Sequence, residues 1–145
     1  MMDVEHITSE DTHALRLLVL RPGGSPKDVS WPHDTDESAF HLGVRNGAGL
    51  IGIGSFHPER QKGIKGPRQF RIRGMATHPD HRSRGAGSLI VQRGMEELRG
   101  RNVEIIWCNA RLKAVPFYER EGFEPHGEPF ELPGIGMHQV MWRKL

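Results

Sequence analysis

Hydrophobic positions along the chain change their period several times, and each change marks the edge of an element. Val4 to Ile7 reads as a short strand. Leu15, Leu18 and Val19 follow at helical spacing, behind Thr8 and Ser9, either of which offers an N-cap oxygen, with acids in the first turn. Pro22-Gly23-Gly24 stops that helix, and 25–38, rich in Pro, Asp and Ser with no sustained period, reads as a loop with room for a short helix. Phe40 to Arg45 and Leu50 to Phe56 read as two strands joined through Asn46-Gly47-Ala48-Gly49, whose glycines suit a tight hairpin. Within the second of them Gly52 and Gly54 alternate with Ile51 and Ile53, leaving one face bare for close backbone approach, by a ligand or by a crowding helix.

The remaining pattern alternates strands with helices. After a turn at Gly63 to Pro67, Arg68 to Thr77 forms a strand whose alternation is imperfect at Gly74, a candidate bulge or splay point. A helix from Gly85 to about Gly100 carries Ile90, Val91, Met95 and Leu98 on one stripe, with Gly94 between them, as packing on a sheet requires. A strand from Val103 to Cys108 leads to a short helix, Pro116 to Glu121, which opens on a proline in its first turn and ends at Gly122. Two closing strands, Phe123 to Gly127 and Met137 to Arg143, flank a rigid loop from Glu128 to Gly136. No internal repeat or low-complexity tract interrupts this order.

At 145 residues and 36% hydrophobic content, residues 1–145 match one domain with a substantial core. A single cysteine, Cys108, excludes an internal disulfide, and no 18-residue apolar run or signal-like apolar start is present, which leads to the expectation of a cytoplasmic protein that does not enter a membrane. The net charge of +2 conceals an asymmetry. Met1 to Glu59 holds nine acids against four Lys/Arg, and Arg60 to Arg84 holds eight Lys/Arg against one acid. That distribution suits a local anionic ligand; a solvated loop, over Arg60 to Arg68, and a nucleic-acid patch are its alternatives, and nucleic acid is not among the partners expected.

The most informative chemistry lies between His78 and Ile90, where small residues and arginines join a strand to a helix. Glycines at Gly85 and Gly87 let the backbone approach a ligand closely, and the free N–H groups of a first helical turn favour negative charge. Arg82 and Arg84 add donors suited to phosphate oxygens. A nucleoside-triphosphate loop would need Gly-Lys-Ser/Thr, which is missing. A dinucleotide fingerprint would need a small residue at Ile90 and an acid closing the next strand, which ends instead in Asn109.

Arg82-x-x-Gly85-x-Gly87 resembles the arginine/glutamine-x-x-glycine-x-glycine/alanine signature by which the GNAT superfamily of acyl-CoA N-acyltransferases grips coenzyme A. The stretch Asn109 to Phe123, with Ala114, Phe117-Tyr118-Glu119-Arg120 and Gly122-Phe123, is similar to the superfamily's "A-x-x-F-Y-E-R-x-G-F" segment, and one helix and one strand fit between the two motifs. The resemblance implies an α/β (α+β) fold: one GNAT-like domain with a mixed, mostly antiparallel six- or seven-stranded sheet, about four flanking helices, and a V-shaped splay between the fourth and fifth strands. It implies an N-acetyltransferase that moves an acetyl group from acetyl-CoA, its co-substrate, to a primary amine on a small molecule, peptide or protein by direct attack in a ternary complex. A non-catalytic acyl-CoA-binding regulatory module is the alternative. Family members are often dimers, so a homodimer belongs to the same expectation.

By that resemblance, Met75, Ala76 and Thr77 offer main-chain N–H groups to the oxyanion and the cofactor, Thr77 standing where valine is usual. Arg82, Ser83, Arg84, Gly85, Ala86, Gly87 and Ser88 cradle the diphosphate, with Phe117 beside them. Tyr118, the only tyrosine, occupies the place of the acid that protonates the coenzyme A sulfur; its alternative is an aromatic on a buried helix face. Asn109 lies nine residues before it, whereas the family's asparagine more often lies seven before, where Arg111 stands here. Asn109 is therefore either a cofactor ligand or a strand cap.

A general base is not singled out by the sequence. Glu131, His138, His41 and His57 are candidates, each with an ordinary hydrogen-bonding alternative. His78 and His81 invite a zinc reading that Pro79 and the lack of a third ligand disfavour, so no metal is expected. Cys108 fits packing better than nucleophilic attack, because direct transfer needs no covalent enzyme intermediate. Acids in Asp28 to Glu37 and Glu128 to Glu131 suggest attraction of a cationic acceptor such as a polyamine, an aminoglycoside or a protein amine.

Overall fold

The computed structural model describes residues 2–47 and 49–145, so Ala48 of the predicted hairpin lies outside the described residues. Seven strands form one sheet: β1 (Met2–Ile7), β2 (Phe40–Asn46), β3 (Gly49–Pro58), β4 (Gln69–Thr77), β5 (Ile105–Arg111), β6 (Glu124–Leu132) and β7 (Gly136–Lys144). Their spatial order is β1-β2-β3-β4-β5-β7-β6, and every pairing is antiparallel except β4 with β5. That parallel pairing covers only Gln69–Arg71 against Ile105–Trp107. Beyond it the strands part, so the expected splay is present and the second half of β4 has no neighbour on its β5 side.

Three helical elements flank the sheet, fewer than expected because the 25–38 segment forms only 3-10 turns, Pro26–Val29 and Pro32–Thr35. The first, α1, occupies 10–20 and changes pitch along its length, from a 3-10 turn through one α turn to a π turn at Arg16–Leu20. The Thr8 hydroxyl accepts from the N–H of Asp11, whose carboxylate accepts in return from the N–H of Thr8, so Thr8 is the residue that caps this start. The π turn adds a residue to the turn and rotates the predicted stripe. Leu18, expected inside, is 49% exposed, and Arg16 is fully buried in its place.

The second helix, α2 (Ala86–Gly100), lays Ile90, Val91, Met95 and Leu98 on the sheet as its periodicity predicts. A Cβ on Gly94 would stand 2.3 Å from the buried Phe56 ring, and one on Gly54 2.8 Å from Ile90 and 2.6 Å from the Met75 sulfur. The bare glycine face of β3 is thus explained by helix crowding, the second of its two readings. The third helix, α3 (Val115–Arg120), begins on Pro116 in its first turn and ends at Gly122, whose φ of +88° suits glycine.

The closing strands correct the sequence reading. The predicted loop from Glu128 to Gly136 is mostly strand, because β6 continues through Leu132 past an irregularity between His126 and Phe130. Pro129 of the predicted loop and Pro125 of the predicted strand are both tolerated because β6 is the sheet's edge and has no donor to supply on its outer side. Likewise β5 runs on to Arg111, past the predicted end at Cys108.

Candidate functional site

The open arm of the sheet begins at a bulge. Gly74 and Met75 together face Gly54, since Arg73 pairs with Ser55 and Ala76 with Ile53. Gly74 has φ +68°, the left-handed conformation that a glycine bulge uses. Where β4 parts from β5, a cavity of about 550 Å³ opens between the two strands. Ile72 to Thr77 line one side and Cys108 to Arg111 the other; Phe117 and Tyr118 of α3 close it, Arg82 stands at one end, and Trp31, Leu132, Ile135 and His138 reach it from the outer segments.

The end toward α2 is a glycine-containing turn into a helix. Ser83 (φ +64°) and Gly85 (φ +88°) turn the chain into the helix through left-handed conformations. Gly85 is the N-cap and brings no side chain, and the first intrahelical bond runs from Leu89 N–H to the Gly85 carbonyl at 3.0 Å. Ala86, Gly87 and Ser88 are therefore left with main-chain donors that have no partner within the helix. The two glycines differ in their reasons. A Cβ on Gly85 would meet nothing within 4 Å, whereas one on Gly87 would press the Phe117 ring at 3.3 Å, so Gly87 serves the close contact of α2 with α3. The Ser88 hydroxyl donates to Glu121 at 2.7 Å, and Arg84 is exposed beside His81 and outside the cavity lining.

Tyr118 is 5% exposed, its ring edge-on to Phe117 at 5.0 Å and to Phe123 at 5.3 Å. Its hydroxyl shares a hydrogen bond with Cys108; burial first, and the neighbouring thiol second, hold the phenol pKa well above its usual value, so the proton stays on. Burial pushes the Cys108 thiol to about 12, which keeps it a poor nucleophile. Asn109 lines the cavity with a buried side-chain oxygen that has no hydrogen-bond partner among the described residues. A buried amide group left so is costly unless something in the cavity bonds it.

Of the four candidate bases, the structure brings one to the cavity. His138 lies there, and its Nδ1 is 2.8 Å from the Gly136 carbonyl. A carbonyl only accepts, so the ring proton sits on Nδ1 and Nε2 carries the lone pair of the neutral ring. His41 is buried and fully committed: Nε2 donates to Asp34 O at 2.9 Å and Nδ1 accepts from the Ser55 hydroxyl at 2.7 Å. His57 and Glu131 do not line the cavity.

Nor do the acids expected to attract a cationic acceptor. Asp28 accepts from Ser25 N–H, Asp34 from Arg16, and Asp36 is 2.8 Å from His33. The His78 and His81 pair is likewise engaged by main-chain and arginine N–H groups. Among the described residues the group closest to a metal-ligand cluster is His33, Asp36 and His57, with ligand atoms within 4.8 Å of one another. The two imidazoles stack at 4.4 Å and 7°, so their in-plane lone pairs run parallel rather than converging on one ion.

A sheet opened by a bulge, a cavity in the opening and a helix start without a side-chain cap beside it match the architecture that the resemblance to acyl-CoA-dependent transferases implies. The comparisons agree. The acetyltransferase (GNAT) family model matches residues 6–123. An uncharacterized N-acetyltransferase of Bacillus subtilis (strain 168), YitI, is 39% identical over 145 residues, covering 100% of this chain and 97% of YitI. Escherichia coli ElaA superimposes with a TM-score of 0.79 at 16% identity, over 99% of each chain. The structure of YncA from Salmonella typhimurium with its cofactor acetyl-CoA gives 0.74 at 13% identity, over 99% of this chain and 93% of its own. The chain belongs to the GNAT acetyltransferase family. No helix among the described residues is long and apolar enough to cross a membrane.

Proposed function

We propose that this protein transfers an acetyl group from acetyl-CoA to a primary amine by direct attack within a ternary complex, and that Tyr118 is the acid. The observation carrying the reading is the phenol that keeps its proton at the wall of the splayed cavity. The free N–H groups of Ala86, Gly87 and Ser88, with Arg82 and the turn through Ser83 and Gly85, would hold the diphosphate; Arg84 adds charge at the rim. Met75, Ala76 and Thr77 present main chain to the pantetheine arm and to the carbonyl oxygen as it becomes an oxyanion. The unpartnered side-chain oxygen of Asn109 supplies a polar contact from the opposite strand, and Phe117 packs against Gly87 of α2. Bound there, acetyl-CoA supplies the activated acyl group.

The amine nitrogen forms the new bond to the acyl carbon as the carbon–sulfur bond breaks. Tyr118 gives its proton to the departing sulfur, and the nitrogen's surplus proton passes to Nε2 of His138, directly or through water. The test is thiol release from acetyl-CoA across an amine library. Tyr118→Phe should lower kcat by roughly 10- to 1,000-fold with little change in the KM for acetyl-CoA. Undiminished kcat in that variant removes Tyr118 from the role.

A further inference from the structure

Several cations besides Arg82 line the cavity. Arg21, Arg71, Arg73, Arg111 and Lys113 contribute to it, and among the described residues no aspartate or glutamate lines it. Arg71 has Glu59 at 3.4 Å. Arg111 reaches only the Leu20 carbonyl, at 3.5 Å. Arg73 is half-buried, and among the described residues no oxygen accepts from its guanidinium; its one close partner is the Trp31 ring, 4.3 Å from guanidinium carbon to ring centroid. Burial, and next the charge of Arg71, pull its pKa down, and the carboxylates of Glu59 and Asp34 offset this only in part.

The diphosphate cradle does not explain Arg71 and Arg73. Arg73 precedes the bulge, and at roughly 3.3 Å per strand residue it lies on the order of 13 Å before Thr77, where the chain turns toward α2. The position of Arg73 is also enforced. Gly74 lets Trp31 lie against β4, because a Cβ there would stand 2.8 Å from the indole ring. The indole N–H donates to Asp28 O at 3.1 Å, and Trp31 in turn gives Arg73 a flat surface to stack on. Leu132 and Ile135 face this corner from the β6–β7 hairpin. A polycation would meet repulsion here, whereas an amine with an apolar body and an oxyanion would meet a stacked, forked donor.

Resting on the transferase reading above, we infer that the acceptor amine carries a carboxylate or phosphate, received by Arg73 with Arg71 beside it, and that Arg73 sets specificity. An oxyanion on either group presents the same oxygens to a guanidinium, so matched pairs decide between them. Thiol release from acetyl-CoA is measured with leucine against leucinamide, phenylalanine against phenylalaninamide, and O-phosphoethanolamine against ethanolamine, together with spermidine and a lysine peptide. The acid member of at least one pair should have a kcat/KM tenfold or more above its neutral partner. Arg73→Gln should collapse that ratio tenfold or more, and Arg73→Lys should restore part of it, while the KM for acetyl-CoA stays within about twofold; should Arg73→Gln fail to fold, the wild-type pairs decide alone. Turnover in which the amides, ethanolamine or spermidine match or exceed the acids overturns this inference and leaves the transferase reading standing. Thiol release with no member of any set overturns the transferase reading, and this inference with it.

Discussion

Removing Arg16 tests the wall that carries Trp31. Its guanidinium donates to the Val29 carbonyl at 2.8 Å, to both oxygens of Asp34 at 2.7 and 2.9 Å, and to the Ser55 hydroxyl at 2.8 Å, and it lies 3.7 Å from the Trp31 ring centroid. Neither side chain of the ion pair is open to water, at 0% and 7% exposure. Arg16→Met keeps the aliphatic bulk but strands the Asp34 carboxylate with the Trp31 N–H as its remaining strong donor. Breaking one side of a buried pair costs about 3–5 kcal/mol. In a chain of this size, at about 2–4 °C per kcal/mol, Tm should fall by roughly 6–20 °C. The double variant Arg16→Met/Asp34→Leu should recover much of that loss, because replacing both charges leaves no uncompensated ion. Urea unfolding followed by circular dichroism gives the free energies, and thiol release gives the acceptor KM, which should rise in the single variant while the KM for acetyl-CoA holds. A single-variant loss below about 1 kcal/mol, or a double variant no more stable than the single, would refute the assignment of Arg16 and Asp34 as the wall's anchor.

Other outcomes follow from single features. Gly74→Ala forces a left-handed non-glycine residue and a clash with Trp31, so it should cost about 1–3 kcal/mol and raise the acceptor KM; an unaffected melting curve counts against the bulge geometry. His41 and His57 have pKa values held below 6.5, chiefly by burial. Below pH 6.5 the unfolded chain therefore binds more protons than the folded one, and stability should fall as pH drops, by up to about 1.4 kcal/mol per pH unit for each ring; urea titrations in which stability rises from pH 7 to 5.5 would contradict this. The Cys108 thiol should resist a disulfide reagent in the folded protein at pH 8 and react at once in urea, so prompt native labelling would disprove its burial.

The sequence made the elements near the motifs legible because their signals are local. The Gly74 irregularity, Pro116 at the start of α3, Gly122 at its end and the apolar stripe of α2 each reflect a rule about one turn or one face, and the structure contains all four. What stayed hidden depends on partners distant in the chain. Arg16 looks like the exposed residue of an amphipathic helix until the π turn swings it under Trp31. Pro129 looks like a loop residue until β6 takes the edge beside β7. Gly52, Gly54 and Gly87 do not reveal from the sequence which neighbour crowds them, and the acids of 25–38 do not reveal that Asp28 and Asp34 bond Ser25 and Arg16. His138 carried a signal, being one of few histidines at the closing hairpin, but only the Gly136 carbonyl decides which of its nitrogens is bare.

The three residue pairs that join β4 to β5 have a mechanical consequence. They make a short hinge between two leaves, β1 to β4 and β5 with β7 and β6, and the gap between the leaves leaves part of a sheet unladdered. On the reading proposed above, whatever extends along Met75 to Thr77 acts as a removable rung, so occupancy and rigidity rise together. Saturation at a hundred times the dissociation constant would add about 2.7 kcal/mol to folding, and it would slow amide exchange most on the two strands that face each other across the gap.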